Sequence, residues 1–190
     1  MLRGLATLRA AMDDGEGDDV AVVAFSGHGT VIDDMFYLLP HEVDDGDPVA
    51  IQSSALSGQD FQQAISSRAQ HGRVLGLLDA CHSGATTGTG AALTTDANRL
   101  RELLRGPNID VLTSSTADQT SAEDRQWQNG AFTEAVLEAL TTRADTDKNG
   151  VLSTVESTDY LTQRVPELTV GKQTPGIDLR FESDVFVAGL

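Results

Sequence analysis

Apolar residues fall along this chain in two kinds of pattern. Short apolar runs in Val20–Gly29 (VAVVAFSGHG) and at Val74–Leu78 (VLGLL) predict buried strands of a parallel sheet, and Ile109–Thr113 (IDVLT) predicts a third core strand. Met35–Pro40 predicts another short strand, closed by Pro40. Between the strands the spacing turns helical. Leu2, Leu5, Ala6, Leu8 and Met12 predict a helix over Leu2–Met12, and Gly130–Thr142 and Thr154–Val165 predict two amphipathic helices. Ser57 is placed to cap a helix reaching Gln70, with Asp60 in its first turn and Gly72 ending it. Asn98–Leu104 predicts a short helix stopped by Gly106-Pro107. The remaining stretches are polar: a Gly/Asp turn at Asp13–Asp19, an acidic loop at His41–Val49, a Gly/Thr-rich loop at Ala85–Asn98, and Thr116–Asn129 with Trp127. Alternation of strand and helix predicts an α/β fold, a mostly parallel sheet covered on both faces.

Two of the strands end in reactive side chains. The run Val74–Leu78 stops at Asp79, and Cys81, the only cysteine, follows in DACHSG. The run before it ends in Ser26-Gly27-His28-Gly29. In open α/β sheets the reactive groups lie at the carboxyl ends of the strands. Neighbouring strands would therefore bring the Cys81 thiol and the His28 imidazole to one crevice, as a nucleophile and its base. A free thiol is only a few per cent thiolate at neutral pH, so an adjacent imidazole raises its reactivity and can protonate a leaving amine. Backbone N–H groups of Gly29 and Cys81 would serve as oxyanion donors there.

SGHG followed by DACHSG, with Cys81 fifty-three positions after His28, resembles the caspase-like cysteine peptidases, the metacaspase branch more closely than animal caspases. Val111–Ser115, Ser121-Ala122-Glu123 and Gly130-Ala131-Phe132-Thr133 are similar to that family as well. The resemblance runs from about Asp19 onward. It implies a three-layer caspase-like fold forming one peptidase domain over residues 1–190, with Cys81 as nucleophile and His28 as base. It also implies that Asp79, with Ser26, lines a pocket for Arg or Lys, because a carboxylate pairs with a guanidinium and repels an acidic residue. The other role open to Asp79 is to accept backbone hydrogen bonds at the strand end. His82, His41 and His71 are taken as structural or loop residues. The family places an opening strand and helix before the first helix found here. The expectation is accordingly a sheet that lacks this strand–helix unit, because the start is truncated, because another segment or chain supplies the missing pieces, or because the fold is trimmed.

Composition narrows the setting. The chain has 190 residues and a net charge of −16, which argues against nucleic acid and anionic membranes as partners. Between Arg9 and Arg68 there is no Lys or Arg but twelve Asp and Glu, a segment that brackets His28. It would attract a basic protein substrate, or it is simply solvated loop. A single cysteine forms no internal disulfide, no apolar run approaches the ~20 residues of a membrane span, and no secretion signal opens the chain. A cytoplasmic setting is expected.

A second motif lies near the C-terminus. Asp145–Glu156 (DTDKNGVLSTVE) fits the twelve-residue EF-hand calcium loop: Asp145, Asp147 and Asn149, then the Val151 carbonyl, Ser153 through water, and Glu156 as the bidentate ligand, with Gly150 at the turn. The competing reading is a helix stop and start, with Ser153 or Thr154 capping the next helix. The function expected is a cysteine endopeptidase cleaving after Arg or Lys, calcium-regulated and self-processing at Arg99, Arg101, Arg105 or Arg125. The alternatives are a non-catalytic calcium-responsive or scaffold module, and a related protease of acidic specificity, which Asp79 opposes.

Overall fold

The structure, a computed structural model, describes residues 2–13, 19–44, 46–68, 72–82, 101–115, 123–124, 129–180 and 186–189. In chain order the elements are α1 (Leu2–Asp13), β1 (Val20–Ile32), β2 (Met35–Leu38), α2 (Pro48–Ser54), β3 (Leu56–Ser57), α3 (Gly58–Arg68), β4 (Arg73–His82) and β5 (Ile109–Thr113). There follow β6 (Glu123–Asp124), β7 (Asn129–Gly130), α4 (Ala131–Glu138) with a π-helical extension (Ala139–Arg143), β8 (Val151–Ser153), α5 (Thr154–Leu168), β9 (Gly176–Asp178) and β10 (Phe186–Gly189).

The three predicted apolar runs are the centre of one sheet. Its order is β3-β2-β1-β4-β5-β9, with β1, β4 and β5 parallel. The outer strands β2 and β9 run antiparallel to their inner neighbours. β5 is buried at all five positions, Asp110 and Thr113 included. Successive residues of β4 feed opposite layers. Val74 and Leu78 join Met12 of α1 and Phe61 and Ile65 of α3. Leu75 joins Phe132 and Ala135 of α4 and Leu161 and Val165 of α5. The result is the expected α/β arrangement, a mostly parallel sheet between two helical layers.

Local chemistry sets the helix starts. Ser57 Oγ accepts from the Asp60 amide at 3.1 Å and donates to Asp60 Oδ2 at 2.6 Å, so α3 begins where the cap was expected. The acidic loop ends earlier than predicted, because Asp47 accepts from the Val49 amide and Pro48 opens α2. With only Ile51 buried, α2 carries little periodicity to read. The short strands β3 and β6 to β10 also escape prediction, since two to four residues show no alternation. Of the predicted helix Asn98–Leu104, residues 101–103 are helical and the rest of its start lies outside the described residues, as do the Ala85–Asn98 loop and Trp127.

β1 is longer than its apolar run. It continues through SGHG to Ile32 because β2 folds back on Gly29–Ile32. Along Val20–Gly27 no strand lies on that side among the described residues. An apolar groove of about 310 Å³ adjoins this edge, lined by Leu5, Leu8, Val23, Phe25 and Phe61 among others. Among the described residues no helix is long and apolar enough to cross a membrane.

Candidate active site

The site is assembled by the ladder between β1 and β4, whose register pairs Ser26 with Asp79, Gly27 with Ala80, His28 with Cys81 and Gly29 with His82. Two segments fifty residues apart in sequence thus place His28 and Cys81 on one rung, with backbones about 4.8 Å apart. Two residues earlier on the same strands stand Ser26 and Asp79. Alternate residues of a strand share a face, so Ser26 and His28 project to the same side of β1. Both are exposed. The Cys81 and His82 side chains lie outside the described part of the structure. The His28 carbonyl accepts from the Leu39 amide at 2.9 Å, which pins the backbone at the end of the open edge. Gly29 has a packing role that the sequence did not reveal: a Cβ there would stand 2.5 Å from the Phe36 ring.

Asp79 is 4% exposed, deep for a carboxylate. Its Oδ2 accepts from the Thr133 amide at 3.3 Å and the Thr133 hydroxyl at 2.5 Å. Thr133 is the third residue of α4, and the helix's own N-cap, Gly130, has no side chain to offer. Asp79 therefore caps α4 from across the chain, where the positive end of the helix dipole also favours a carboxylate. Its other oxygen, Oδ1, is buried without a hydrogen-bond partner among the described residues. One carboxylate thus divides its oxygens between a structural contact and an open position. Thr133 and Gly130 stood in the sequence as part of a family-like segment, without a role. Only folding brings them, more than fifty residues on, against Asp79.

The acidic loop is folded in detail. Gly150 adopts φ +78°, a left-handed backbone that favours glycine. Asp145 accepts from the amides of Asn149 and Gly150 at 3.1 and 3.0 Å, and Asn149 Oδ1 accepts from the Val151 amide at 2.7 Å. Ser153 and Glu156 form a reciprocal capping box at the start of α5. Glu156 Oε1 also accepts from the Thr146 amide and hydroxyl at 2.9 and 3.0 Å. These bonds, the Ser153 amide first, hold its pKa down at about 2 against burial that raises it. Oxygens of Asp145, Asp147 and Glu156 lie within 4.8 Å of one another. These all-oxygen donors are of the type that suits Ca²⁺, and each carboxylate also accepts a backbone N–H while keeping further lone pairs. Val151–Ser153, the exit of the loop, pairs with β10.

At the far end of α4, Glu138 binds Arg164 through two bonds of 2.6 and 3.0 Å, the Tyr160 hydroxyl at 2.8 Å and Arg143 at 2.9 Å. The Arg164 bonds, with Tyr160 and Arg143 assisting, hold the Glu138 carboxyl at about 2 despite partial burial. No sequence signal joins these residues. Of the other histidines, His41 is exposed in a turn, and His71 lies outside the described residues. So do Ser121, Ala122, Arg99 and Arg125, while Arg105 is ion-paired with Asp178 at 2.7 Å.

A family model described as the caspase domain matches residues 1–186. Among solved structures, the crystal structure of protein GSU0716 from Geobacter sulfurreducens is similar, with a TM-score of 0.54 and 18% sequence identity over 93% of this chain and 72% of that one. At that identity the likeness is one of fold. A search of the curated proteins finds no match.

Proposed function

The chain belongs to the caspase domain family of cysteine peptidases, and from that premise we propose that it is an endopeptidase cleaving after Arg or Lys with a Cys81–His28 dyad. The Cys81 thiolate adds to the scissile carbonyl carbon, the C–N bond breaks, and the His28 imidazolium protonates the leaving amine. Water, deprotonated by His28, then hydrolyses the thioester and frees the thiol. Backbone amides of Gly29 and Cys81 are the oxyanion donors of this scheme. The observation that carries the specificity is the buried Oδ1 of Asp79, without a partner among the described residues, on the rung of Ser26 and two rungs before His28 and Cys81. A buried carboxylate oxygen without a partner is costly, and a basic side chain relieves that cost with a charge-assisted bond. Fluorogenic peptides differing only in Arg, Lys or Asp before the scissile bond test the reading. Wild type should hydrolyse the Arg and Lys peptides and leave the Asp peptide intact, Cys81→Ala should be inactive, and Asp79→Asn should lose the basic preference by tenfold or more. A preference for Asp would reject it.

The same reading takes Asp145–Glu156 as a calcium-binding loop that regulates the peptidase, supported by the carboxylate oxygens within 4.8 Å of one another. Asp145, Asp147, Asn149, the Val151 carbonyl, Ser153 and Glu156 would hold the ion, and its charge would rigidify the turn after α4. Calorimetry should record Ca²⁺ binding at millimolar ion or tighter that Glu156→Gln abolishes. Absence of heat from wild type would remove the site. A segment or partner strand completing the sheet belongs to this reading too, supported by the open edge at Val20–Gly27 and its apolar groove.

A further inference from the structure

If Asp79 receives the basic side chain, the pocket depends on where one oxygen of that carboxylate points. The terminal torsion of an aspartate is soft, and by itself would let the two oxygens exchange places. Here it is held. Oδ2 takes two bonds from a single residue, the Thr133 amide at 3.3 Å and the Thr133 hydroxyl at 2.5 Å. Gly130 leaves the room this requires: a Cβ at that position would lie 2.6 Å from Oδ2 and 3.4 Å from Oδ1. With Oδ2 fixed, planarity of the carboxylate fixes Oδ1, the oxygen that is buried and without a partner among the described residues. A hydroxyl donating to Oδ2 engages that oxygen as an acceptor and leaves Oδ1 to accept from a cationic donor.

We infer that Thr133 is a positioning residue of the specificity pocket: it anchors one oxygen of Asp79 so that the other stays open to the substrate's basic side chain, with Gly130 providing the space. The inference rests on the specificity reading above and adds to it the residues that aim the carboxylate. In a merely structural role Thr133 would only seat the start of α4 on Asp79, and its loss would affect all substrates alike. A positioning Thr133 affects binding of the basic side chain alone.

The test compares two peptides that differ only in Arg or norleucine before the scissile bond, on wild type, Thr133→Val and Thr133→Ser. Valine keeps the shape and the backbone amide and removes only the hydroxyl. Thr133→Val should raise KM for the Arg peptide about tenfold, the scale of one lost hydrogen bond to a charged group. Its kcat should stay within about twofold, its norleucine kinetics should not change, and Thr133→Ser should restore the Arg KM. If Thr133→Val does not fold, Gly130→Ala, which displaces the same carboxylate, should show the same selective rise. Wild type that prefers Arg while both Thr133→Val and Gly130→Ala keep that preference overturns the inference alone. Parallel losses on both peptides without rescue by serine overturn it as well. Wild type with no preference for Arg overturns the specificity reading and the inference with it.

Discussion

At the scale of single residues, burial decides which charges matter. Most of the acidic side chains are solvated and contribute little individually. Glu138 differs, since its side chain is 14% exposed and accepts from Arg164 and Tyr160 while pairing with Arg143. Its folded pKa of about 2 lies below the ordinary 4.5. A depressed carboxylate contributes stability that is fully present above its unfolded pKa and is lost as pH falls through the folded one. Thermal unfolding of Glu138→Gln should therefore show a loss of about 1–2 kcal/mol at neutral pH. The gap to wild type should shrink from about pH 4.5 downward and close near pH 2. An undiminished gap at low pH would mean that packing, not charge, holds this corner. Cys81, His28, Ser26 and Asp79 could be picked out from two short motifs because reactive residues at strand ends leave a local mark. Glu138 with Arg164, and Asp79 with Thr133, could not, because nothing in the chain's order announces a contact across 26 or 54 residues.

At the scale of elements, the strands with unbroken apolar runs and the helices with strong caps were legible. β5 spans Ile109–Thr113 as the pattern predicts, and α5 starts at the Ser153–Glu156 box. The element that matters most for the site is α4. Its N-terminus rests on Asp79, and its far end carries Glu138 and runs through the π-helical turn into the acidic loop. The acidic loop shows how one sequence motif supports two physical readings. Glu156 is at once the twelfth position of a calcium loop and the N3 residue of a capping box, and the bonds of the second role are drawn in full.

At the scale of the molecule, one edge of β1 has no strand beside it along Val20–Gly27 among the described residues. Leu39 donates to the His28 carbonyl, so His28 turns its backbone polar groups toward the β2 side, and alternate residues Val22, Ala24 and Ser26 do the same. Among the described residues nothing pairs with these three on that side, and Val22 is 44% exposed although it lies on a central strand. Amide hydrogen exchange on the chain alone should find the Val22, Ala24 and Ser26 amides fast, next to slow neighbours at Val23 and Phe25 that face β4. Addition of the completing strand should slow them. Uniform protection along β1 in the isolated chain would remove the case for such a strand.

By itself the sequence determined the α/β class, the three parallel core strands, most helix starts and the two motifs that mark the site, because periodicity, caps and strand-end chemistry are local properties of a chain. Only the tertiary structure decided that β1 and β4 are neighbours with His28 opposite Cys81, and that Asp79 spends one oxygen on Thr133 while the other is buried without a partner among the described residues. Those outcomes depend on register and on contacts between distant segments, which exist only when burial of the two apolar layers has fixed where each strand lies.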